Sequence, residues 1–139
     1  MSATSEPVSP AVPVAEFHHR FGLPARTVPV DELPLAEVEL RRRLLAEEFS
    51  EYLAAVETGN LVSVADALAD MVYVIYGTAL HYGIDLDAVI AEVHRSNMTK
   101  TGHPGGKAVK GADYQPPAIA AVLDAQARFR PAPTAVSDQ

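Results

Sequence analysis

The stretch LVSVADALADMVYVIYGTAL, residues 61–80, decides how this chain folds. It is the most apolar run in the sequence, and at 3.6 residues per turn it makes about five and a half turns of α-helix. Apart from Tyr73 and Tyr76, its only ionisable side chains are Asp66 and Asp70. On a helix these two lie one turn apart on the same face (i, i+4). An unpaired carboxylate is costly to bury. A core-forming helix therefore carries two of them on one face only with a compensating cation. The pair asks for a metal ion, and for carboxylates elsewhere to share it. A salt bridge to an arginine is the rival reading.

The sharing carboxylates lie upstream. Segment 34–58, PLAEVELRRRLLAEEFSEYLAAVET, carries Glu47, Glu48 and Glu51 in its second half. As a helix it turns Glu48 and Glu51 (i, i+3), and Glu47 and Glu51 (i, i+4), the same way, where like charges repel unless something sits between them. The short turn Gly59–Asn60 joins this segment to the apolar one. Two antiparallel helices with facing acidic stripes result. Ligation by oxygen alone suits a hard cation, Mg²⁺, with Mn²⁺ as a substitute.

Composition sets the outer bounds. At 139 residues the chain is read as one domain with a modest core. Its net charge of −7 argues against a sequence-independent grip on DNA or RNA. With no cysteine, disulfides, thiolate catalysis and cysteine-based metal sites are excluded. The opening MSATSEPVSPAVPV has no basic stretch followed by a long apolar one, so it does not read as a signal peptide. Run 61–80 is about long enough to span a bilayer. Its aspartates and its Gly, Ser and Thr content argue instead for the centre of a soluble bundle, and a cytoplasmic location without membrane attachment is expected.

Along the chain, residues 1–13 and 131–139 are rich in Pro, Ser, Ala and Thr and read as flexible tails flanking one domain, 14–130. A short amphipathic piece at 14–21 is ended by Gly22 and Pro24. Pro34 opens the second helix, whose apolar stripe is Leu40, Leu44 and Leu45, with Arg41, Arg42 and Arg43 on the solvated side. The third helix, 61–82, stops at Gly83. Asp85 caps a fourth over 86–99, residues 101–117 form a loop with a short extended piece at 107–110, and Pro117 opens a last helix through Phe129. The fold class is all-α, a bundle of four main helices. The third helix is apolar nearly all round, which one small chain cannot cover, so a homodimer or homotetramer is expected.

The combination of EEFSE (Glu47–Glu51), DALADMVYVIYG (Asp66–Gly77) and EVHRSNMTK (Glu92–Lys100) resembles the all-alpha nucleoside triphosphate pyrophosphohydrolases. The nearest likeness is to the small MazG-like and phosphoribosyl-ATP-pyrophosphohydrolase-like proteins, over roughly residues 14–120. That family's signature is EExxE followed by ExxD. Glu47, Glu48, Glu51 and Asp70 match it, whereas the glutamate of ExxD falls on Ala67, with Asp66 as its neighbour.

The resemblance implies Mg²⁺-dependent hydrolysis of a nucleoside triphosphate to a monophosphate and pyrophosphate. It implies Glu48, Glu51 and Asp70 as metal ligands and Asp66 as a fourth. Glu47 becomes a further ligand or the group that deprotonates the attacking water. Asn97 is a candidate for sugar or base and Lys100 for phosphate, with Lys110 and Tyr114 closing over the nucleotide. Each has a plainer reading: Glu47 as a solvated charge, Asn97 as a helix cap, Lys100 as a cation at a helix C-terminus. The alternative function is a non-catalytic nucleotide- or metal-binding helical oligomer.

Other signals fail. Gly102–Lys107 lacks the spacing and the Ser/Thr of a Walker A loop, and Glu16–His19 offers a single E-x-x-H where a di-iron bundle needs two. The five histidines have no zinc spacing and read as surface or interface residues.

Overall fold

A computed structural model describes residues 6–103 and 105–129. Among these residues the secondary structure is helical, with no strand beyond one isolated bridge between Thr101 and Val109. The chain divides after Ile84 into two compact units. The first holds α1 (Ala11–Arg20), α2 (Leu35–Thr58) and α3 (Leu61–Tyr82); the second holds α4 (Leu86–Asn97) and α5 (Ile119–Phe129). The expected tail 131–139 lies outside the described residues. Helix α1 starts at Ala11, inside the stretch read as an N-terminal tail.

The α2–α3 hairpin is the frame of the first unit. Gly59 ends α2 in the left-handed region at φ 64°, and Asn60 then caps α3 by accepting from the Val62 and Ser63 N–H groups. Two residues of turn leave the helices no option but to lie antiparallel. Ala55 of α2 and Ala67 of α3, both buried, let the backbones approach near the tip. Towards the other end Val14 and His18 of α1 are buried, and the Phe17 ring meets Tyr73 edge-on at 5.6 Å. The connector after α1 then crosses the end of α3, where Arg26 N–H donates to Leu80 O and Val30 N–H to Tyr82 O. Gly83, at φ 73°, has Val28 against the place a Cβ would occupy.

Two expectations are corrected here. Arg41 is not on the solvated side of α2: it is buried, its Nε donating to Thr78 Oγ1 (3.1 Å) and its Nη2 to Val74 O (2.9 Å). The reason is Gly77. A Cβ there would lie 2.6 Å from Arg41 Nη2 and 2.9 Å from His18 Nε2, so the glycine supplies the space both side chains use. Arg42 and Arg43 are exposed as expected. Likewise His18 and His81 are buried rather than superficial. His18 Nδ1–H donates to Pro24 O, while His81 Nδ1 meets Glu37, which also takes the Arg26 guanidinium. That ion pairing, Arg26 first, holds the Glu37 carboxyl at about 2.

In the second unit Asp85 caps α4 through Ala88 N–H, and Gln126 of α5 accepts from Asp85 N–H. The first unit leaves Phe49, Leu53 and Val56 of α2, and Leu68, Val72 and Ile75 of α3, substantially exposed.

Candidate metal centre

Helical spacing brings Glu48 onto the stripe of α2 that also carries the buried Arg41 and Ala55, so Glu48 faces α3 rather than solvent. Glu51 stands one turn further on, at its exposed edge. Across the hairpin, Asp70 projects from α3. Ligating oxygens of Glu48, Glu51 and Asp70 all lie within 4.8 Å of one another. None of the ion pairs among the described residues involves these three. Arg41 bonds a hydroxyl and a backbone carbonyl.

The electrostatics of Glu48 identify what the cluster suits. Its Oε2 is buried and has no hydrogen-bond partner. Burial first, and then the negative charges of Glu51 and Asp70, push its carboxyl above the ordinary carboxylate range. A buried acceptor left unpaired is destabilising, and carboxylates crowded at this distance repel. A small hard dication relieves both, being bound by oxygen and neutralising the cluster. The residues present fit Mg²⁺ or Mn²⁺.

The remaining candidates fall in three places. Glu47 is exposed beside Glu48 and adds to its negative surroundings. Asp66 is exposed, outside the close triad; it lines a shallow cleft with Glu51, Thr58, Ser63 and the buried Ala55 and Ala67. Asn97, Lys100, Lys110 and Tyr114 belong to the second unit. Asn97 is the last residue of α4, and its carbonyl accepts from Lys100 N–H. Lys110 Nζ lies 5.1 Å from the centre of the Tyr114 ring.

Sequence reasoning missed a second set of residues. Arg95 is engaged by Glu92, Gln115 and Pro116. The signal was present: positions 92, 95 and 96 fall on one face of α4.

The profile of the family described as phosphoribosyl-ATP pyrophosphohydrolase matches residues 14–97, more than half of the chain. The chain belongs to this family. The acidic cluster gives the chain a site able to hold a metal ion. Glu47, Glu48, Glu51, Asp66, Asp70 and Asn97 all lie within the matched region; Lys100, Lys110 and Tyr114 lie beyond it. The chain is also similar to the uncharacterized protein L479 of Acanthamoeba polyphaga mimivirus, 38% identical over 96 residues. That match takes in 66% of this chain and 36% of the viral protein, so the chain spans about a third of its relative.

Proposed function

We propose that this chain is a Mg²⁺-dependent pyrophosphohydrolase that cleaves a nucleoside or deoxynucleoside triphosphate to the monophosphate and pyrophosphate. One observation carries the metal dependence: Glu48, with a buried and unpartnered Oε2, has a carboxylate oxygen within 4.8 Å of oxygens of Glu51 and Asp70. Glu48, Glu51 and Asp70 are the ligands, and Asp66, on the same face of α3, adds a further carboxylate. Magnesium held there supplies neutralisation of phosphate charge and acidification of a coordinated water. Glu47, exposed next to the cluster, orients the attacking water and takes its proton. The water oxygen bonds to phosphorus as the α–β anhydride bond breaks and pyrophosphate leaves.

The apolar residues left open on α2 and α3 support self-association as a homodimer or homotetramer, because burying them against a second copy gains hydrophobic free energy. The partner in solution is then the nucleotide and a copy of the chain, not a nucleic-acid polymer or a membrane. A nucleotide-pool role fits a cytoplasmic setting.

Incubation with Mg²⁺ and a panel of NTPs and dNTPs, phosphoribosyl-ATP included, tests activity and substrate together. Pyrophosphate release that vanishes in Asp70→Asn supports the reading; unchanged turnover in that variant sinks it. Ala67, in place of a family carboxylate, favours one second reading, a non-catalytic nucleotide or metal binder. Calorimetric binding with no product released would select it.

A further inference from the structure

The carboxylates of the metal centre come from two helices, Glu48 and Glu51 from α2 and Asp70 from α3, so they meet only in one register of that pair. Apolar attraction is non-directional, whereas a buried polar group that must find its partner specifies a single arrangement. Two polar contacts join α2 to α3. At the first, Glu37 of α2 meets His81 Nδ1 of α3 at 2.9 Å. Arg26 spans both, donating to Glu37 through Nη1 (2.8 Å) and Nη2 (3.0 Å) and to His81 O through Nη1 (2.7 Å). At the second, Arg41 of α2 closes a ring with α3. Its Nε donates to Thr78 Oγ1 (3.1 Å), that hydroxyl donates to Val74 O (2.8 Å), and Arg41 Nη2 donates to the same carbonyl (2.9 Å).

These contacts and the carboxylates share one antiparallel register. Four residues along α2 lead from Glu37 to Arg41, and four back along α3 lead from His81 to Gly77, where the missing side chain makes room for Arg41. Seven more lead from Arg41 to Glu48, and seven back lead from Gly77 to Asp70. A slide by one residue moves one helix past the other by about 1.5 Å, enough to break hydrogen bonds of these lengths. The Arg41 guanidinium is 7% exposed and enters no ion pair among the described residues. A buried cation without an anion is a poor source of stability, since a well-packed apolar residue of similar size holds two helices together at least as well. What it supplies instead is a single allowed register.

We propose that Arg41, seated against Gly77 and bonded to Val74 and Thr78, is a positioning residue for the metal centre: it fixes the register that sets Glu48 and Glu51 against Asp70. This rests on the metal-dependent reading above. Arg41 stands two turns of α2 from Glu48 and acts through the backbones of both helices, not by touching the metal or the nucleotide. Its planar fork reaches two acceptors on α3 at once, which makes the contact sensitive to sliding as well as to separation. Ligands held a fraction of an ångström out of place bind a metal ion less tightly, so the role shows in metal affinity before any chemistry.

The test uses the full chain and three variants, Arg41→Met, Thr78→Val and Asn60→Ala. Mn²⁺ alone is the probe, its Kd read from the electron paramagnetic resonance of the free ion, with urea unfolding of the same samples. Arg41→Met keeps the volume and removes the bonds; it should unfold close to the parent yet raise the Mn²⁺ Kd about tenfold. Thr78→Val, which removes one acceptor, should raise it about threefold and decides the matter if Arg41→Met does not fold. Asn60→Ala weakens the α3 cap and leaves the Arg41 ring in place, so it should lower stability with the Kd unchanged. An unchanged Kd in the folded Arg41 and Thr78 variants overturns the proposal. So does an equal loss of affinity in Asn60→Ala, which would make metal binding follow stability and not register. A parent that binds no Mn²⁺ removes the metal reading and this proposal with it. A parent that binds Mn²⁺ in an Arg41-dependent manner but releases no pyrophosphate bears the positioning out and refutes the hydrolase reading alone.

Discussion

Glu48 sits with one carboxylate oxygen buried and unpartnered, facing two further carboxylates. Replacing it with glutamine removes a charge from that crowd and a ligand from any metal bound there. Glu48→Gln should lower turnover at least about a hundredfold, on the scale of losing one charge-stabilising group. In chelator the same variant should melt no lower than the parent, and Mg²⁺ should raise the melting temperature of the parent only. Thermal scans with and without Mg²⁺ read both outcomes; a variant that Mg²⁺ still stabilises fully would remove Glu48 from the ligand set.

His18 offers a different residue-scale prediction. Burial, as the largest cause, and the neighbouring Arg41 and His81 charges lower its pKa below the ordinary 6.5, although its bond to Pro24 O works the other way. The folded state thus holds fewer protons at His18 than the unfolded chain does, and stability rises with pH across that interval. The contribution is complete above pH 6.5 and is lost as pH falls through 6.5 towards the lower folded value. Glu37, held at about 2 by Arg26 and His81, gives a separate, more acid window: its contribution is intact above 4.5 and lost as pH falls from there to about 2. Urea unfolding from pH 8 to pH 3 should show both declines, and His18→Asn should flatten only the first.

At the scale of the element, Gly77 is the position where helix packing depends on what is missing. It carries the usual helical penalty of glycine, yet it makes room for Arg41 and His18 against α3. Gly77→Ala improves helix propensity but places a methyl where Arg41 Nη2 and His18 Nε2 now stand. The packing loss should win, destabilising by about 1–3 kcal/mol, measured by urea unfolding. Asn60→Ala, which deletes the α3 cap, should cost about 1 kcal/mol without touching the acidic triad. Stabilisation by either substitution would show that the neighbours relax freely.

For the whole molecule, the decisive feature is how much of α2 and α3 remains open in one chain. Helix α3 is apolar enough in length and composition to cross a bilayer, and only 17% of that window is buried inside the chain. With Asp66 and Asp70 on the same helix, the proposed cover is a second copy. Sedimentation should find an assembly larger than a monomer, and Ile75→Glu, at an open site on α3, should shift it towards monomer. A monomeric parent at high protein concentration would refute the assembly.

The sequence by itself determined the helical elements. Period, caps and turn residues placed α3, the Gly59–Asn60 hairpin and the Asp85 cap of α4, because these are local properties of the chain. Of the two aspartates one turn apart in an apolar helix, Asp70 alone bears out the expectation of a shared cation site, since Asp66 is exposed and outside the cluster. Tertiary structure alone decided which carboxylates meet. Asp70 joins Glu48 and Glu51 while Asp66 opens onto the cleft beside Ala67. It also decided that Arg41, His18 and His81 are interior, which a charged or titratable residue on a helix does not announce. Burial of such groups depends on a gap in the partner helix, here Gly77, and on hydrogen-bond acceptors supplied from distant parts of the chain. Local sequence sets which groups are present; only packing sets which of them lose their water.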